Sequence, residues 1–564
     1  MKHILRYRTN QQFHDDQLAK SGKDVQPGQC VWSPIPGVSF TDESKISDYN
    51  PVPKKEPAVV FINNTNEAAT VTLTARHLGN ELNRVSANIP HISLDYSTNG
   101  TSFQTKESAS VPASGDTLTF ELPANGKLWL KGENTTLAVG DYKTGCSMSP
   151  SQSQFEYPKQ ANIKFWSFSC DKSHSVSGVS MALVNNAEEL TAYMLAGLFN
   201  DDTTLQTISD NFLPSVTNIP NGAYARMFEN ASNLSNMPNV YGDTVGIASC
   251  YKMFYNTGIV ASKPLPAVTI SEASYRQMFS ESVKFRGLAS LPAETISIGS
   301  YEGMFAGCSS MTIAPEVASL SAFPFCCSSM FDRCESLVTP AVMHFQSFWG
   351  VGDPYYAVEA CEMMYKRCHS LTSMPAFLAE VGGSNYVWGV YQHMFDDCTS
   401  LVNVVNLGNT VVQDYMYKGM FSGCTSLVTA PRFLTTRARN NAYESTFAGC
   451  TSLTGTAQMD FTTFTAGATD TMLNMYEGCT SLTSATLPNV ATLSTRSYKN
   501  MFKGCSRLAY INCPATNLSA EDCTLDWVNG VAANGTFVKA SSADWSSKTG
   551  NDGIPAGWTV QNAS

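Results

Sequence analysis

The chain predicts an α/β solenoid of about twelve coils, preceded by a small all-β domain. Two observations carry that expectation. The phrase Tyr-x-x-Met-Phe-x-Gly-Cys-x-Ser-Leu recurs every 25 to 34 residues from about residue 195 to 508. A fixed period of that length marks stacked units that share one continuous core, none of which folds alone. Ahead of it, residues 55–176 carry short β-branched runs divided by Asn-Gly and Ser-Gly turns, the signature of close-packed strands. At 564 residues the chain is also too long for a single compact core.

The repeat unit is read from its last full copy. Tyr498, Met501, Phe502 and Cys505 stand at i, i+3, i+4 and i+7, one face of an α-helix. Gly504 sits where a permissive backbone lets the chain leave that helix. Leu482-Thr-Ser-Ala-Thr-Leu-Pro488 is short, β-branched and ended by proline, so it reads as one strand per coil. Helix plus strand in about 26 residues is the unit of a leucine-rich-repeat solenoid with a parallel ladder along one side. Met-Phe or Met-Tyr doublets recur from Met227-Phe228 to Met501-Phe502, and Leu198-Phe199 and Thr446-Phe447 keep the phase, which makes twelve units. At roughly 4.8 Å per coil the array spans on the order of 55–60 Å. A methionine-aromatic stripe at this spacing is a core seam, not a cofactor box.

Of 17 cysteines, eight fall at one repeat position (Cys308, Cys334, Cys368, Cys398, Cys424, Cys450, Cys479, Cys505). Their equivalence predicts stacked, reduced thiols packing as small hydrophobes, because parallel side-chain vectors are poor disulfide geometry.

Met-Phe-x-Gly-Cys-x-Ser-Leu followed by proline resembles the BspA-like leucine-rich repeats of gut and oral bacterial surface proteins and their phages. The resemblance covers about residues 190–513 and implies a curved solenoid that binds host molecules or cell surfaces, without enzymatic activity. Met1-Lys-His-Ile-Leu-Arg-Tyr and the Pro36-Gly-Val-Ser-Phe…Tyr49-Asn-Pro51 segment are similar to N-terminal tags of virion proteins in crAss-like and related gut phages. Residues 1–54 are therefore expected to dock the chain to virion proteins; the plainer reading is a disordered leader. The domains expected are 1–54 docking segment, 55–176 β-sandwich, 177–513 solenoid and 514–564 cap. Ser519-Ala-Glu-Asp in the cap has the form of a helix N-terminus.

Composition narrows function. Charged residues make up 15% and the net charge is −11 without a Lys/Arg cluster, which argues against a nucleic-acid partner. No stretch of 18 apolar residues occurs, so no membrane insertion is expected. The first residues carry positive charge with no apolar run behind, so no secretory signal is read and the chain is expected to be made in a cytoplasm. Nucleophile elbows, zinc helices, phosphate loops and Cys-x-x-Cys pairs are missing, so no catalytic residue, metal site or cofactor is assigned. Glycosidase carboxylate pairs need a spatial separation that a sequence does not display, which leaves a virion-borne glycan depolymerase open.

Two long repeats supply the candidate binding residues. Leu427 to Tyr443 is 16 residues, but Leu337 to Cys361 is 24 and Leu371 to Tyr391 is 20. The insertions carry Phe345, Phe348, Trp349, Tyr355 and Tyr356, then Tyr386 and Trp388. At one phase of adjacent coils they emerge on one face, where clustered aromatics stack on sugars or anchor a protein; alternatively they fold down over neighbouring apolar surface. The leading expectation is a non-enzymatic fibre or decoration protein of a phage particle, located in the virion, binding a host surface protein or glycan. The alternative is a bacterial cell-surface adhesin. A homotrimer is implied by the fibre resemblance only, since no heptad stalk is visible.

Overall fold

The computed structural model describes residues 58–78, 87–141, 147–148, 155–156, 162–184, 189–345, 347–348, 359–375, 388–408 and 411–563. The expected docking segment 1–54 lies outside the described residues. The remainder, from Pro57 on, is one compact unit.

The first seven strands are β1 (Val59–Asn63), β2 (Ala69–Leu78), β3 (Ser93–Ser97), β4 (Gln104–Glu107), β5 (Thr117–Leu122), β6 (Lys127–Lys131) and β7 (Ala138–Asp141). A short pair, β8 (Ser147–Met148) and β9 (Phe155–Glu156), precedes β10 (Asn162–Cys170) and β11 (His174–Gly178). The runs Val59–Ile62, Thr70–Thr74, Ile92–Tyr96, Leu118–Leu122 and Lys127–Lys131, which the sequence marks as strands between turns, overlap β1, β2, β3, β5 and β6. Along β1 burial alternates strictly, because successive side chains of a strand point to opposite faces. One sheet runs β11-β1-β6-β3-β4 and the other β5-β2-β10-β7. Their inner faces meet through Phe61 on Phe168, ring centroids 5.2 Å apart, and Tyr96 on Phe120 at 5.4 Å.

From there the chain winds into a β-solenoid of about twelve turns. Its first strand, β12 (Leu205–Ile208), adds to the edge of the first sheet parallel to β11, so one apolar core continues from Val59 to Trp558. Further parallel strands are only two to four residues long. They begin as Asn218–Ile219, Thr244–Val245 and Thr269–Ile270, and end as Ser484–Thr486, Tyr510–Cys513, Thr536–Lys539 and Thr559–Asn562.

The expected helices are not there. Tyr301–Cys308, like every Met-Phe segment, is a ribbon of successive turns. Met304, Ala306 and Cys308 donate their N–H to the carbonyl three residues back, at 2.9–3.1 Å. The residues between them donate instead to the next coil: Tyr301 to Cys326, Gly303 to Ser328, Phe305 to Met330 and Gly307 to Asp332, at 2.7–2.9 Å. Half the donors thus close turns and half join coils, which leaves the buried backbone paired without an α-helix. Alternation of this kind needs a left-handed residue at every fourth position. Gly299, Gly303 and Gly307 have φ of 58°, 58° and 77°, and Asp470, Asn474 and Gly478 have 57°, 55° and 74°. Glycine, Asn and Asp are the residues that adopt this region most cheaply. The unit is therefore not the helix-and-strand unit of a leucine-rich repeat. A period of four places apolar residues at i, i+3, i+4 and i+7 much as a helix does, which is why the pattern misleads.

Past Leu508 the motif fades, yet the backbone repeats it. Asp522, Asp526 and Gly530 have φ of 49°, 53° and 84°, and the expected helix at Ser519 is this same ribbon. Trp527 stands at the methionine position, stacked on Trp545 at 5.4 Å with its indole N–H donated to Gly553 O at 2.9 Å. A bulkier ring with a satisfied donor thus closes the stack.

The Met-Phe seam is the core. Rings from Phe199 through Phe305, Tyr365, Phe421 and Tyr476 to Phe502 stack one per coil at 5.2–5.9 Å, with planes within 13° of parallel. Beside them all eight repeat cysteines do more than fill space. Each thiol donates to the carbonyl of the preceding coil's stacked aromatic, from Cys308 to Phe279 O at 3.1 Å to Cys505 to Tyr476 O at 3.0 Å. Ser282, where the cysteine is missing, makes the same bond to Phe254 O at 2.8 Å. Every cysteine among the described residues is a buried free thiol. Burial raises the repeat thiols far above their ordinary range, Cys450 and Cys505 to about 12.

Candidate functional site

The seven aromatic candidates divide. Phe345 is 4% exposed and belongs to the core, so it is not a surface residue. Phe348 extends the ladder, paired with Ala322 in the parallel strand Ser347–Phe348. Trp388 is half-buried at the head of its coil, its carbonyl accepting the Glu359 N–H at 2.9 Å. Trp349, Tyr355, Tyr356 and Tyr386 lie outside the described residues.

A different surface is assembled beside those insertions. Immediately after the buried Leu of each unit, or its Met311 equivalent, comes an exposed residue: Thr312, Val338, Thr372, Val402, Val428, Thr454, Thr483, Ala509. Val338 N–H donates to Thr312 O at 2.9 Å, Val402 N–H to Thr372 O at 3.1 Å and Thr454 N–H to Val428 O at 3.2 Å, so these residues lie in one row across the coils. In that row Val338 is 46% exposed, Val402 46% and Val428 50%, with Thr372 between Val338 and Val402 and Thr454 after Val428. Scattered exposed valines are ordinary, whereas valines and threonines aligned over successive coils form a β-branched strip of the kind that marks an interaction surface. The pattern was present in the sequence as Leu-Val or Leu-Thr after each Ser, but only stacking shows that these residues face water together.

A thiol, an imidazole and a carboxylate also meet where the sheets join the first coil, the residue types of nucleophilic catalysis. His174 Nε2 lies 3.2 Å from Asp202 Oδ2, with both side chains at most 1% exposed, and the imidazole stacks on Phe61 at 5.5 Å. Cys170, at 7% exposure, closes the group. Burial by itself pulls the His174 pKa down. Hydrogen bonding and charge attraction to Asp202 and Cys170 outweigh that and raise it to about 9. Thr204 Oγ1 ties the ensemble down, donating to Cys170 O at 2.8 Å and to Asp202 Oδ1 at 3.0 Å. No substrate reaches atoms so deeply enclosed, and the group pins the first coil to the sheets.

Among the described residues no three His, Cys, Asp or Glu side chains are placed to hold a metal ion, and no helix is long and apolar enough to cross a membrane. Comparison with protein-family models and with curated proteins finds no match for this chain.

Proposed function

We propose that this chain is a non-enzymatic binding and display protein whose solenoid presents the Val338–Val428 strip to a partner. The observation that carries the reading is that strip: exposed β-branched residues aligned over successive coils of a solenoid whose Met, Phe and Cys positions are buried. The proposed setting is a phage particle, with residues 1–54 docking to virion proteins and the solenoid meeting a host surface protein or glycan. The likeness of the repeat to BspA-like sequences, and of the N-terminal segment to virion tags, supports that setting. A bacterial cell-surface adhesin of the same repeat type is the competing placement. Immunodetection in purified particles against washed cell surfaces separates the two.

The function itself is tested with labelled recombinant chain on host cells. The expected result is saturable binding that Val402→Asp together with Val428→Asp abolishes, with the thermal midpoint unchanged because both side chains already face water. Equal binding by the double variant removes the strip from the function. Release of reducing ends from capsular glycan by the wild-type chain replaces the display reading with a depolymerase.

A further inference from the structure

Consecutive repeat cysteines Cys424, Cys450, Cys479 and Cys505 are spaced 26, 29 and 26 residues apart. The three extra residues lie in the coil that begins at Asn441, and the ladder opens beside them. A cleft of about 440 Å³ separates the Thr462–Ala468 segment from Val490–Thr495 of the next coil, within the size range of small-ligand pockets. Above the cleft the two coils are joined by Thr483 N–H to Thr454 O at 3.1 Å, and below it by Asp470 N–H to Thr495 O at 3.0 Å. Among the described residues no backbone hydrogen bond crosses between these two points from Thr462–Gly467 to Val490–Ser494.

Each wall is nevertheless a ladder edge. Phe464 bridges Ala438 of the preceding coil, with Thr465 N–H donated to Ala438 O at 3.0 Å. Thr492 bridges Asn517 of the following coil, with Leu493 N–H donated to Asn517 O at 3.1 Å and Asn517 N–H to Ala491 O at 2.9 Å. In an extended segment the peptide groups of alternate residues point to opposite sides. The neighbours of Phe464 and Thr492 point outward to their coils, so the N–H and C=O of Phe464 and Thr492 themselves point into the cleft from opposite sides. Among the described residues neither one bonds another backbone group, and the Ser494 hydroxyl, buried at the same wall, has no partner.

We propose that this cleft is a strand-acceptor site: it takes an extended, uncharged peptide segment with small or β-branched side chains, which restores the missing rung between the two coils. Recognition would run through main-chain hydrogen bonds on both edges, the mode of β-strand addition. The lining is uncharged, with hydroxyls from Thr462, Thr463, Thr465, Thr492, Ser494 and Thr495. That excludes an ionic ligand. It also lacks the amide, carboxylate and guanidinium groups that hold sugar hydroxyls by paired hydrogen bonds, so a peptide backbone fits better than a glycan. The inference does not depend on the attachment reading.

The test uses the full chain and a fluorescein-labelled peptide Leu-Thr-Ser-Ala-Thr-Leu, copied from residues 482–487 of its own ladder. Anisotropy is expected to show saturable binding. The same peptide N-methylated at alternate residues should bind at least about tenfold more weakly, since it loses the donors of one edge. Ala466→Trp, at an exposed lining position, should block binding with an unchanged melting curve. Thr492→Pro removes one cleft-facing donor and should weaken binding without full loss. Absence of saturable binding overturns the proposal, as does equal binding of the N-methylated peptide or by the Ala466→Trp chain. Displacement of the peptide by a neutral oligosaccharide such as maltohexaose at lower concentration assigns the cleft to sugar and overturns it too.

Discussion

Gly449→Ala tells the turn ribbon from a helix by the sign of its effect. Gly449 has φ of +74°, and a Cβ built there meets only Gly423 N and Cα at 3.7 and 3.8 Å, an ordinary contact. Steric collision therefore contributes nothing, and the change isolates the backbone. Holding an L-residue in the left-handed region costs roughly 1–2 kcal/mol. Against this, alanine restricts the unfolded chain and returns about 0.4–1 kcal/mol. The net expectation is a loss of about 1 kcal/mol. An interior helical glycine would give the opposite, a gain of about 0.8–1 kcal/mol. The two outcomes lie about 2 kcal/mol apart, well resolved by urea denaturation followed by far-ultraviolet circular dichroism with the slope held constant. Ser445→Gly is the mirror experiment, because Ser445 is held at φ of +55°; it should be neutral or slightly stabilising here and destabilising in a helix. A stabilised Gly449→Ala protein would refute the ribbon.

Other expectations follow from the same packing. Tyr476 Oη accepts the Ala457 N–H at 2.9 Å, so Tyr476→Phe keeps the ring stack but strands a buried donor, costing about 1–3 kcal/mol in denaturant midpoint. Cys424→Ser keeps a donor to Phe395 O, as Ser282 does naturally, and should be tolerated within about 1 kcal/mol, whereas Cys424→Ala loses the bond and leaves a void and should cost about 1–2 kcal/mol. Because burial holds the repeat thiols protonated, Ellman's reagent at pH 8 should leave them unreacted until denaturant is added; rapid native labelling would contradict the buried row. His174 is raised from 6.5 to about 9, so its protonated form favours the folded state. That contribution is complete below about pH 6.5 and disappears as pH rises through about 9. Melting curves from pH 6 to 10 should show the loss, and His174→Gln should flatten it over the same range.

Much of the solenoid was legible from its residues. Tyr498, Met501, Phe502 and Cys505 are all buried, as a repeated apolar phase predicts, and Val59–Ile62 or Lys127–Lys131 read as strands because they are short, rich in β-branched or aromatic residues and bounded by turns. The cysteine column was read as packing, but its hydrogen bonds were not, since their acceptors belong to the coil before. The site was less visible. Phe345 looked like a surface aromatic because it lies in an insertion, yet it is buried in the core that the stacked coils share. The Val338–Val428 strip and the Phe464–Thr492 cleft involve residues 26 to 34 apart, and nothing local relates them.

The amino-acid order alone determined that equivalent units stack, which side chains meet in the interior, and where the period lengthens. Folding in three dimensions decided the backbone. Over eight residues a repeat of four and a repeat of 3.6 bury nearly the same positions, so hydrophobicity does not choose between them. The choice falls to the hydrogen bonds: with a neighbour on each side, alternate N–H groups find carbonyls in the next coil, and those bonds hold every fourth residue left-handed, whether it is Gly, Asn or Asp or a residue that disfavours the region, as at Ala248, Lys252, Met363 and Arg367. A single unit has no such neighbour, which is why its own residues spell a helix that the stacked protein does not form.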